Sequence, residues 1–265
     1  MLPPTSPPGS YESGPHGSGP HGSGPHESGP HGLHRRLLPD VMAAGSAYPL
    51  LLSGAYAREA HGLLEPGAVR RDTGLELATE APDAMAELVS AVCNGLQERG
   101  WQAEPLEGGL VVTDAATGEH CAVALRKETL WRPPVLGPYG PVPAVEDVVG
   151  MAVRDLADLG LARDLVDVRA ASADWSHVEL EELGRRHAGT DAAAFDLTDL
   201  QARLAGAEWI ADSEFAAYGL DDTDRAELLR WAEAWVDDIA ERLMEEAPYE
   251  DQDEEDEEGE EEEES

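Results

Sequence analysis

The chain has 265 residues and a net charge of −37, with 18 basic side chains against 55 acidic ones. A field of that sign repels phosphate backbones at long range, so no footprint for duplex DNA is expected. Two cysteines, Cys93 and Cys121, are too few for a disulfide framework and fit a reduced, cytoplasmic setting, and no run of 18 or more apolar residues offers a membrane span.

Residues 1–40 are dominated by Gly, Pro, Ser and His, and they read as a disordered tail because little apolar surface is available to offset the entropy of ordering. A five-residue repeat places His16, His21, His26 and His31 at equal spacing. Several imidazoles on one flexible segment can hold Zn or Ni loosely, or the repeat is simply a flexible tail. Met1-Leu2-Pro3-Pro4 does not open like a secretory signal.

The apolar run Tyr48–Leu52 predicts a buried strand, Ser53-Gly54 a turn, and Ala55–Leu64 a helix. Asp72–Thr79 reads as a second strand with Leu75 and Leu77 on one face. Ala81-Pro82-Asp83 opens a helix to about Arg99, with Met85, Leu88, Val89, Val92 and Leu96 as its apolar stripe. Gly109–Thr113 and Cys121–Arg126 predict two more strands, and Trp131–Pro143, with five prolines, a loop. From Val145 every segment reads helical: Val145–Asp158, Arg163–Ala171, Ser176–Arg186, Asp196–Leu204, Ser213–Tyr218 and Asp221–Leu243. The chain thus divides into an α/β core over residues 41–143 and a helical C-terminal region over 144–244, an α+β fold with a mixed sheet. Residues 245–265 read as a disordered acidic tail, and Glu245–Glu264 supplies fifteen of the negative charges.

Three segments, in order and spacing, resemble the AbiEii/AbiGii-type nucleotidyltransferase toxin family: Leu50–Leu63, with Ser53-Gly54 and His61-Gly62; Arg70–Thr79; and Val145-Glu-Asp-Val148 through Arg163–Asp167. The resemblance implies a nucleotidyltransferase-like mixed sheet, one partner of a toxin–antitoxin pair, and transfer of a nucleotide from a nucleoside triphosphate to an RNA or protein acceptor. It also implies Mg²⁺ as cofactor. Such transfer is an in-line displacement in which two Mg²⁺ ions hold the attacking and leaving oxygens, and Mg²⁺ takes hard carboxylate ligands. Two acids at i and i+2 of a strand share a face, about 7 Å apart, and can converge on the ions.

On that pattern Glu76 is the candidate metal ligand and catalytic carboxylate, and Ser53 and Gly54 form the small pair through which the backbone approaches the triphosphate. Arg163, Asp164 and Asp167 match the family's Arg-Asp-x-x-Asp, and they could equally form an ion-pair network tying helices together. The sequence departs from the pattern at Gly74, Ala124 and Ala152, where the first acid, the third acid and the helix lysine are expected. Asp72 lies on the face of Glu76, but about 13 Å away along a regular strand. Lys127, the sole lysine, and Arg126 could hold a phosphate but not a metal. Three readings stand: a weak or inactive nucleotidyltransferase, a non-catalytic interaction protein on the same fold, and an acidic-tail protein that binds a basic partner. Arg70-Arg71 and Arg185-Arg186 are either solvated surface or local anion sites. Trp209, Trp231 and Trp235 are expected in the core, Trp131 as a loop anchor, and both cysteines as packing residues.

Overall fold

The computed structural model describes residues 32–64, 74–188 and 195–246. The histidine repeat, Arg70, Arg71, Asp72 and the tail beyond residue 246 lie outside the described residues. In chain order the elements are α1 (Gly32–Ala44), β1 (Leu50–Leu52), α2 (Gly54–Ala60), β2 (Leu75–Thr79), α3 (Met85–Glu98), β3 (Gln102–Leu106), β4 (Gly109–Thr113) and β5 (His120–Lys127). A short hairpin follows, β6 (Val135–Gly137) and β7 (Gly140–Val142), and then α4 (Val145–Leu159), α5 (Ala162–Ala171), α6 (His177–His187), α7 (Leu197–Ala205), a 3-10 turn at Gly206–Trp209, α8 (Asp212–Ala216) and α9 (Asp222–Glu246).

The strand order of the main sheet is β1-β2-β5-β4-β3, with β2 and β5 parallel and every other neighbouring pair antiparallel. This is the α+β, mixed-sheet class expected, with a strand-rich half before a helical one. Period-two alternation sorts the strands into two faces. Leu50, Leu52, Leu75, Leu77, Leu110, Val112, Val123 and Leu125 point to one face, where the stripes of α1 and α3 cover them. Glu76, Ala124 and Arg126 point to the other, toward α4 and α5, with Glu76 directly opposite Ala124 in the parallel register. A second core, built around Val153, Leu156, Leu165, Leu180, Phe215 and Trp235, belongs to the helices of the C-terminal half.

Five expectations need correction. The folded part begins before residue 41: α1 starts at Gly32, and Leu33, His34, Leu37 and Leu38 are buried against the sheet. Its helical stripe was masked by Pro39 and by the Gly/Pro-rich sequence just upstream. A fifth strand, β3, sits at the sheet edge, where only Ala103 is buried and Pro105 interrupts the donor row, so it lacks the alternation that marks a strand. The proline-rich stretch contains the β6–β7 hairpin rather than loop alone. The helix after Ser53 is also shorter than expected, ending at Ala60. Trp235 is fully buried as anticipated, whereas Trp209 is 82% exposed.

Candidate nucleotide cleft

Backbone geometry brings the first half of the site together. The Ser53 N–H donates to the Glu76 carbonyl at 2.8 Å, which ties the end of β1 to β2. Gly54 then starts α2 with φ +58°, a conformation open to glycine. A Cβ there would lie 2.6–2.8 Å from the Glu76 carboxyl group, so the carboxylate rests directly over the glycine. The small pair lets a side chain approach the backbone, and the group that approaches it here is the protein's own carboxylate.

α4 and α5 close the far side. Ser53, Gly54, Arg58, Glu76, Arg126, Glu128, Asp155, Arg163, Asp164 and Asp167 line one cleft, floored by Val148, Met151 and Ala152. The structure therefore gathers Ser53, Gly54, Glu76, Arg163, Asp164 and Asp167. It places Lys127 elsewhere: alternation along β5 turns it away from Arg126, and its Nζ donates to the Pro82 carbonyl at 3.1 Å. Asp72 lies outside the described residues.

Arginines engage every acid in the cleft except Glu76. Arg126 grips Asp155 through two hydrogen bonds of 2.6 and 2.8 Å, and Arg154 adds a third at 3.0 Å. Burial pushes the Asp155 carboxyl up, but the Arg126 and Arg154 contacts outweigh it and hold the group below its ordinary value. The same Arg154 forks onto Glu128 at 2.7 and 3.0 Å. Asp164 accepts from the Leu161 N–H at 3.1 Å, capping α5, and from Arg163 at 3.2 Å; burial still raises its carboxyl above the ordinary range. Asp167 faces Arg58 at 3.0 Å, off the N–H direction, so charge rather than an aligned hydrogen bond holds the pair. Burial is the main cause that lifts Asp167 to about 6, with the nearby carboxylates adding to it and Arg58 opposing it.

Glu76 alone accepts no side-chain hydrogen bond and forms no ion pair among the described residues, although Arg126 and Arg163 feel its charge. This donor set does not fit a pair of Mg²⁺ ions, which need several free carboxylate oxygens. Ala124 presents only a methyl group beside Glu76. At Gly74 a Cβ would lie 2.5 Å from the Ala122 carbonyl oxygen, so an acid could stand there only if β5 moved. Among the described residues no three His, Cys, Asp or Glu side chains gather as a metal-binding group.

Sequence reasoning missed Arg58, Glu128 and Asp155. Arg58 lies on the helix that follows the small pair, and Arg154-Asp155 on the helix where a lysine was sought; neither signal is specific without the fold. His61 closes α2 and its Nε2 lies 2.8 Å from the Pro143 carbonyl, a structural contact. Cys93 and Cys121 are buried, free thiols. No helix among the described residues is long and apolar enough to cross a membrane.

No family model matches the chain, and no curated protein matches it in sequence. Solved structures of similar shape include JHP933 from Helicobacter pylori, 13% identical, with a TM-score of 0.43 and 80% of this chain aligned to 94% of that one. Another is MenT4, a nucleotidyltransferase toxin from Mycobacterium tuberculosis, 16% identical, with a TM-score of 0.43 and 78% of this chain aligned to 91% of that one. A third is a STING-associated c-di-GMP synthase from Capnocytophaga granulosa, 9% identical, with a TM-score of 0.30 and 80% of each chain aligned. Likenesses this distant concern the chain path alone.

Proposed function

We propose that this protein is a non-catalytic relative of the AbiEii-type nucleotidyltransferase toxins, an interaction protein that keeps their fold and has exchanged the metal centre for an arginine–carboxylate network. One observation carries the reading: among the described residues, Glu76 alone of the five acids lining the cleft is without an arginine or a helix N–H. Two-metal phosphoryl chemistry needs carboxylates that are free to bind metal, because each ion is held mainly by them. Here the guanidiniums of Arg126, Arg154, Arg163 and Arg58 supply the positive charge that balances those acids; Arg126 and Arg154 fasten α4 to the end of β5, and Arg58 fastens α5 to α2.

The test is nucleotide transfer by the full chain. With Mg²⁺ or Mn²⁺, each of the four α-labelled triphosphates, total RNA and a cell protein extract as acceptors, no label should move to RNA or protein. Transfer that is present in the unaltered chain and abolished by Glu76→Gln would overturn the reading and establish an active enzyme built on Glu76 with an acid outside the described residues.

A further inference from the structure

A second feature is independent of the cleft. On this acidic molecule one surface ledge is basic and aromatic. Trp131 is 46% exposed and lies between two guanidiniums, Arg186 at 3.8 Å and Arg132 at 4.1 Å from its ring centroid. Arg185 stands beside Arg186 in the last turn of α6. The ledge is held in shape from beneath. The backbone N–H groups of Trp131 and Arg132 donate to the two oxygens of Asp147 at 2.7 and 3.1 Å. Asp147 is fully buried, and its other partner is His187 at 3.0 Å. Among the described residues, Glu182, shared by Arg185 and Arg186 at 3.1 Å, and Glu146, 3.7 Å from Arg132, are the acids that oppose the three cations. Such partly exposed pairs are weak and leave guanidinium donors to spare.

We propose that the acidic C-terminal segment Glu250–Glu264 docks in cis on this ledge. α6 and α9 run in the same direction. His177 stacks on Trp235 and meets Asp238, and Glu181, one turn further along α6, meets Trp235 and then Arg242. One more turn of each helix, about 6 Å, reaches Arg185 on α6 and Glu246 at the end of α9, and Arg186, with Trp131 against it, lies further round α6. The segment begins four residues later, a reach of roughly 13 Å of extended chain. It offers a dense row of carboxylates, the planar partner that a guanidinium fork accepts best. The net charge of the folded part repels the segment at long range, so the contact is short-ranged and local. It must weaken as the screening length falls from about 8 Å at physiological salt to about 3 Å at 1 M.

The experiment uses the full chain carrying Ser265→Cys and a nitroxide label. Cys93 and Cys121 are buried and stay unlabelled. Paramagnetic broadening of the indole N–H resonances is read by NMR, with Trp131 assigned through Trp131→Phe and the exposed Trp209 as reference. At low salt the Trp131 signal should broaden several-fold more than that of Trp209. The excess should vanish in 1 M NaCl and in an Arg132→Gln/Arg186→Gln variant whose circular dichroism melt is intact, and it should persist on dilution. Equal broadening of both indoles would overturn the proposal. So would broadening that scales with protein concentration, which would place the segment on a second copy. The salt series on the chain with unaltered arginines tests the same contact should the double variant fail to fold.

Discussion

Glu128, at the cleft, and Glu181, between α6 and α9, are built alike. Each is a buried glutamate gripped by an arginine fork, Arg154 at 2.7 and 3.0 Å in the first case and Arg242 at 2.6 Å to each oxygen in the second. Glu181 is not part of the cleft lining and also takes the Trp235 indole N–H at 2.8 Å, an arrangement whose role is to join helices. The recurrence shows what a forked arginine does in this chain: it lets an acid stand inside a helix-packed interior. Asp155 follows the same rule, Asp164 and Asp167 are each met by one arginine nitrogen, and Glu76, lying over Gly54 with no ionic partner among the described residues, is the exception.

Removing the acids tests the parallel. Glu128→Ala leaves the buried Arg154 with Asp155 as its remaining acid and should cost about 3 kcal/mol, the low end for a broken buried pair. Glu181→Ala should cost the same or somewhat less, since Arg242 is more exposed than Arg154. Urea denaturation of both variants measures the difference, and a loss below about 1 kcal/mol at Glu128 would break the comparison.

Asp167 gives the next effect. Its pKa in the folded chain, about 6, lies above the usual carboxylate value near 4, so the native state holds a proton that the unfolded chain releases. The resulting stabilisation is fully present below pH 4 and is lost as pH rises through 6, on the order of 2–3 kcal/mol in all. Asp167→Asn should flatten the difference in unfolding free energy between pH 4 and pH 6.5 by that amount.

Gly54→Ala should cost roughly 1–3 kcal/mol from the positive φ and from contact with Glu76. In a Glu76→Ala background the same substitution should cost less, because only the backbone strain remains, and a double-mutant cycle reads the difference. The smallest effect belongs to Glu76→Gln, within about ±0.5 kcal/mol, as befits a side chain with no ionic partner. A loss above 2 kcal/mol there would mean that Glu76 also carries structural load.

Hydrophobic patterning sufficed for most elements. The stripe Leu88, Val89, Val92 and Leu96, the alternating Cys121, Val123 and Leu125, and Ser176 with Glu179 reciprocally capping α6 each state their conformation within a few residues. β3 was not legible, because an edge strand with one buried residue follows its neighbour rather than its own pattern. α1 carried a readable stripe, but its surroundings argued for a tail.

At the site, the sequence by itself determined which positions can carry an acid. Glycine at 74 and alanine at 124 offer no carboxylate whatever the fold does, and the small pair at Ser53-Gly54 is plain from residue type. Only tertiary structure decided which acids and arginines meet. Arg58 and Asp167, or Arg126 and Asp155, are far apart in sequence and sit on different elements, and an ion pair depends on distances of a few ångströms that no local pattern encodes. The same holds for Lys127: its charge is evident from the chain, but the pleat of β5 turns it away from the cleft.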